Sequence, residues 1–100
     1  MILLLSLVAL AADPAAGKAV YEANCTSCHG LAGDGKGPAA IALPKKPTDF
    51  TQATYWATKT DTDVAALIRA GKPGTPMAAF TQLTDEQVSN TVAYLRSLKK

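Results

Sequence analysis

Apolar residues recur at helical spacing in three stretches of the 100-residue chain and fill a fourth almost completely. That fourth stretch is Met1 to Ala12, M-I-L-L-L-S-L-V-A-L-A-A, and it contains no charge. The first periodic stretch begins at Asp13-Pro14, with Val20, Tyr21 and Cys25 at helical spacing. Asp is a good N-cap and Pro suits the first helical position, which predicts a helix from here to about Cys28 or His29, where Gly30 stops it. The second stretch puts Val64, Leu67 and Ile68 on one face. Thr60 and Asp63 form a capping box and Gly71 a C-cap, which predicts a helix over 61–70. In the third, Thr84 and Gln87 form the capping box, and Val88, Val92, Tyr94 and Leu95 mark the buried side. Lys99 and Lys100 complement the helix dipole at its C-terminal end. No stretch reads as a convincing strand.

Residues 30–58 break the periodicity. Gly30, Gly33, Gly35 and Gly37 follow one another closely, and then come Pro38, Pro44 and Pro47. The segment reads as loop, with a short helical turn around Ala39 to Leu43. A second loop, Gly71 to Leu83, carries Pro73, Gly74 and Pro76. So long a loop in a compact domain is unusual. It needs something to wrap around, and a buried cofactor is one solution. The expected class is all-α: three main helices joined by loops.

A chain of this length fits one domain and buries only a modest core, so any cofactor would form much of the interior. Hydrophobic residues make up 48% and charged residues 18%, which reads as globular. Ten Lys and Arg against eight Asp and Glu leave a net charge of +2. That surplus, with no basic run among aromatics, excludes nucleic acid as the expected partner.

The apolar run at the start is too short to span a bilayer, which takes ~20 residues. It fits the apolar region of a signal peptide, and Ala9 and Ala11 supply a small-residue cleavage site. The expected division is a leader over 1–11, or one residue longer, and a single domain over 12–100. No Lys or Arg precedes the run. Retention as a weak membrane anchor therefore stays open beside cleavage.

The only two cysteines and the only histidine lie together in Cys25-Thr26-Ser27-Cys28-His29. C-x-x-C-H is a c-type haem attachment pattern. Two thiols three positions apart reach two vinyl groups along one haem edge and add across them as thioethers. The adjoining imidazole is then held beneath the iron. Three other readings compete. A disulfide or thioredoxin-like pair wants a βαβ context that is not visible. A structural zinc site needs four ligands, and no second Cys or His pair exists. The third is chance.

An iron bound by one His has a sixth position, and no second His can fill it. Met77, in P-G-T-P-M-A-A-F, is the only Met outside the leader. A thioether is a soft ligand that favours Fe(II). The competing roles are a core gap-filler for Met77 and ligation by Lys72 instead.

The haem pattern, Gly37-Pro38, Pro76-Met77 and the terminal Val92-Ala93-Tyr94-Leu95 together resemble class I c-type cytochromes, over about residues 13–100. The loop between His29 and Pro38 is shorter than in mitochondrial members. The resemblance implies a cytochrome c fold wrapped around one covalent haem c, with iron held by His29 and Met77. It implies that the Pro38 carbonyl accepts a hydrogen bond from the free ring N–H of His29. It also implies that Gly17 and Tyr21 pack against Val92, Tyr94 and Leu95. Phe80, Leu67, Ile68, Ile41 and Leu43 are expected in the haem-pocket wall. Trp56 is a candidate donor to a haem propionate. Lys36, Lys45, Lys46 and Lys72 are candidates to ring the exposed haem edge.

The function implied is single-electron transfer in a periplasmic or other extracytoplasmic chain, without catalysis. Partners would be transient redox proteins, the chain a monomer, and the membrane involved only if the leader is retained. Two other roles remain: a redox subunit of a larger oxidoreductase, and a haem sensor or enzyme whose distal ligand leaves.

Overall fold

Two helices from opposite ends of the chain cross at a glycine, and the rest is arranged around that crossing. The structure, a computed structural model, describes residues 12–100. The expected leader and its cleavage site lie outside the described residues. Helix α1 (Pro14–Asn24) opens with the Asp13 side chain accepting from the Ala15 and Ala16 amides. The Asp13 amide donates to Asn90 Oδ1 at 2.8 Å, which ties the start of α1 to the last helix. A Cβ at Gly17 would collide with the backbone carbonyl of Asn90. The glycine costs helix propensity, ~1 kcal/mol relative to Ala, and allows the close crossing that offsets it. Tyr21, one turn on, is fully buried, and its ring lies 5.3 Å from that of Tyr94.

The first helix reaches the predicted end, but in two pieces. Cys25 leaves the helical conformation (φ −120°, ψ −21°), and α2 (Thr26–His29) resumes after it. Gly30, at φ 86°, ends α2. A 3₁₀ turn over Pro38–Ala42 follows, close to the predicted turn. Helix α3 (Ala53–Thr58) was not expected; it is short and its N-terminal Gln52 makes no side-chain cap. Helix α4 (Asp61–Ala70) has both reciprocal bonds of the Thr60–Asp63 capping box and ends at Gly71. Helix α5 (Asp85–Ser97) has the Thr84–Gln87 box in the same form.

No strand occurs among the described residues. The core consists of Tyr21, Phe50, Trp56, Val64, Ile68, Val88, Val92 and Leu95. These come from α1, α3, α4, α5 and one loop residue, so a single core joins all the longer helices.

Candidate functional site

The helices and loops surround a cavity of about 320 Å³ that is open to solvent on one side. Tyr21, Cys25, Cys28 and His29 line it from α1, α2 and the break between them. Leu43, Lys45 to Thr48 and Phe50 supply a second wall, Ile68 a third, and Lys72, Thr75 to Ala78 and Phe80 a fourth, with Thr91 and Leu95 behind. Lys45, Lys46 and Lys72 are among the lining residues, and no Asp or Glu is. Five side chains selected from the sequence, Cys25, Cys28, His29, Met77 and Phe80, therefore meet at one cavity. The apolar wall includes Ile68 and Leu43 as expected.

Both thiols are free, so the described chain contains no Cys25–Cys28 bridge. Burial, with Cys28 close by, pushes the Cys25 thiol up to about 11. The thiolate is the nucleophile in sulfur chemistry, so this site favours the protonated, unreactive form. No cluster of three or more His, Cys, Asp and Glu residues suited to a metal ion occurs among the described residues.

The His29 ring is mostly enclosed, and burial holds its pKa below the usual range, partly opposed by its hydrogen bond to Thr48. Its Nδ1 lies 3.1 Å from the carbonyl oxygen of Thr48. A carbonyl can only accept, so Nδ1 carries the proton and Nε2 keeps a free lone pair. This corrects the expected acceptor: it is Thr48, not Pro38. Pro38 opens the 3₁₀ turn and does not line the cavity. The Gly37 amide just before it bonds the Cys28 carbonyl instead, so Gly37-Pro38 braces the backbone of α2.

The Met77 loop is shaped by its own backbone. The Lys72 amide donates to the Met77 carbonyl at 3.1 Å, and the Phe80 amide to the Ile68 carbonyl at 2.9 Å. The Thr75 hydroxyl donates to the Lys72 carbonyl and accepts from the Met77 amide. Gly71 has φ +73°, and a Cβ there would meet the Met77 carbonyl at 2.8 Å. Only glycine lets α4 turn into this loop so tightly.

Three further expectations change. Trp56 is buried and its indole N–H donates to the Phe50 carbonyl at 2.8 Å, so it is not free to serve a propionate. Ile41 is 95% exposed on the outside of the 3₁₀ turn, and Leu67 does not line the cavity. Sequence reasoning missed Thr48 and Phe50. Thr48 acts through its backbone, which leaves no trace in residue type. Phe50 had a weak signal, as an isolated aromatic inside a Gly/Pro-rich loop; its ring centroid lies 4.8 Å from that of His29.

The sequence matches the Cytochrome c family over residues 14–99, nearly the whole described chain. The chain belongs to the cytochrome c family. It is 33% identical over 96 residues to cytochrome c-554(547) of Halothiobacillus neapolitanus, covering 89% of this chain and all of that protein. It is 36% identical over 97 residues to cytochrome c-555 of Chlorobaculum tepidum, covering 93% of this chain and 83% of that one. Among solved structures, the c-type cytochrome KustC0563 aligns with a TM-score of 0.72 at 29% identity, covering 84% of this chain and 98% of that chain. A chain in a reducing HAO-like protein complex of Kuenenia stuttgartiensis aligns at 0.75 and 31% identity over 84% of this chain. This chain spans only 41% of that longer one. As a member of the cytochrome c family, the protein carries a covalently bound haem c with its iron and works in haem-based electron transfer. The residues fit that cofactor: two thiols, a neutral imidazole with a free Nε2 and a thioether all line one largely apolar cavity.

Proposed function

We propose that this cytochrome c carries single electrons on one haem c in an extracytoplasmic electron-transfer chain. Cys25 and Cys28 hold the haem as thioethers, and His29 and Met77 ligate its iron. The observation that carries the reading is the gathering of these four side chains on a single cavity from two distant parts of the chain. Bound there, haem c supplies a one-electron couple. The chain's own residues do the rest. Thr48 fixes the His29 tautomer, which orients the ring and makes it a stronger donor. Phe50, Ile68, Phe80 and Leu95 exclude water, which disfavours the more charged ferric state and raises the potential. His29 and Met77 would both hold the iron, so an electron would enter or leave with little rearrangement of the chain. That suits a carrier rather than an enzyme.

Alkaline pyridine spectra of the exported protein should show a haem with both vinyl groups saturated; an extractable haem would end the attachment claim. Met77→His should lower the midpoint potential and remove the far-red sulfur-to-iron band, since a thioether is the ligand that raises the potential. An unchanged potential removes Met77 from the iron. Slow or absent carbon monoxide binding by the reduced protein at neutral pH separates the carrier from a sensor with a leaving ligand.

Residues 1–11 are proposed as a cleaved leader that sends the protein to the periplasm or an equivalent compartment, with 12–100 as the mature domain. N-terminal sequencing of the secreted protein checks this. A second reading, a redox subunit held in a larger complex, draws support from the structural relative that belongs to one. Light scattering decides: a lone monomer favours the diffusing carrier, which would meet its redox partners transiently.

A further inference from the structure

The Thr48 carbonyl that receives the His29 proton sits on a strap, residues 47–51, anchored at several points. The Phe50 amide donates to the Gly33 carbonyl at 2.7 Å, and the Lys100 amide to the Thr51 carbonyl at 2.9 Å. Gly35 lies against the strap so closely that a Cβ would meet the Pro47 carbonyl at 2.7 Å. The remaining anchor is a side chain: Trp56 Nε1–H donates to the Phe50 carbonyl, two residues from Thr48. The same tryptophan ring is capped from outside, with Arg96 Cζ 4.7 Å from its centroid. Arg96 is in turn fixed by Asp61, Nε to Oδ1 at 2.7 Å. Asp61, Arg96, Trp56, Phe50 and His29 thus form one continuous line of contacts from the surface to the imidazole, and the Phe50 ring completes it against the His29 ring.

We infer that Trp56, backed by Arg96, is a positioning residue that sets the His29–Thr48 hydrogen bond and through it the midpoint potential. The inference rests on the reading that His29 ligates the haem iron. A firm acceptor at Nδ1 makes the imidazole a stronger donor at Nε2. A stronger donor favours ferric iron. Releasing the strap therefore weakens the donor and favours the ferrous state. A merely structural role for Trp56 gives the opposite sign. Loosened packing admits water, and water favours the more charged ferric state.

The test uses the haem-loaded protein and two variants. Trp56→Phe removes the N–H and keeps an aromatic ring. Arg96→Lys keeps the charge at a half-exposed site and removes the flat guanidinium over the indole. Midpoint potentials are measured together with exchange of the His29 Nδ1 proton, followed by NMR in the reduced state. Trp56→Phe should shift the ferric–ferrous equilibrium several-fold toward ferrous, where tenfold corresponds to about 59 mV for one electron. It should also speed the proton exchange. Arg96→Lys should do both to a smaller extent. The inference is overturned if the folded variants keep the parent potential and exchange rate, or if the potential falls. Should Trp56→Phe not fold, Arg96→Lys decides by the same criteria. A parent spectrum without His29 ligation overturns the reading and the inference together. An intact parent spectrum with unmoved variants overturns the positioning role alone.

Discussion

At the crossing of the terminal helices, one missing side chain decides the geometry. An added methyl at Gly17 would meet the backbone of Asn90 and Thr91, which cannot swing away as a side-chain tip could. Gly17→Ala should therefore destabilise by about 3 kcal/mol, the upper end for overpacking, despite the better helix propensity of Ala. Chemical denaturation of the haem-loaded protein measures it; a neutral or stabilising result would show that the helices can separate freely. What the sequence made legible at this scale follows from what residue type encodes. Cys25, Cys28, His29 and Met77 are proposed for chemistry that few other side chains could do, so type and spacing point to them, and they do line one cavity. The acceptor for His29 is a backbone carbonyl, which any residue at position 48 could offer. The partner of Trp56 stayed open for a related reason. An indole N–H needs a partner, but the sequence cannot say whether that partner is a propionate or the Phe50 carbonyl.

The elements were legible in proportion to their punctuation. Helices α4 and α5 begin at capping boxes and were predicted to within a residue or two. Helix α3 has six residues and an uncapped start, too short for periodicity to register. The break at Cys25 was not legible, because the helical bonds run on through it, from the Cys25 amide to the Tyr21 carbonyl and from the His29 amide to the Cys25 carbonyl. The strap before α3 also carries a pH signature. The Thr51 hydroxyl, then the Thr51 amide and the Gln52 side chain, bond the Asp49 carboxylate and hold its pKa below the ordinary value, with Lys36 adding. A carboxylate depressed in the folded state stabilises fully above its unfolded pKa of about 3.9, and that contribution is lost as pH falls through the lower folded value. The group is exposed, so the effect is modest. Asp63, held low by the Thr60 capping bonds, acts in the same direction. The thermal midpoint should fall below about pH 4, and less steeply in Asp49→Asn. Identical acid profiles would disconnect Asp49 from stability.

For the whole molecule, the dominant fact is the cavity at its centre. Its lining is largely apolar, so without the haem Ile68, Phe80 and Leu95 lose packing partners, a loss that a small domain stable by only about 5–15 kcal/mol cannot absorb. Chain made in a cytoplasm lacking haem-attachment machinery should accordingly be largely unfolded, with no cooperative transition in calorimetry; a sharp haem-free melt would contradict this.

The clasp between residues 17 and 90 also ties α1 to α5 across the whole length of chain between them. The loops that line the cavity lie in that stretch, so this one contact closes them into a ring. A change at the crossing is therefore felt by two cavity walls at once, since Tyr21 and Cys25 follow Gly17 on one side and Thr91 and Leu95 follow Asn90 on the other.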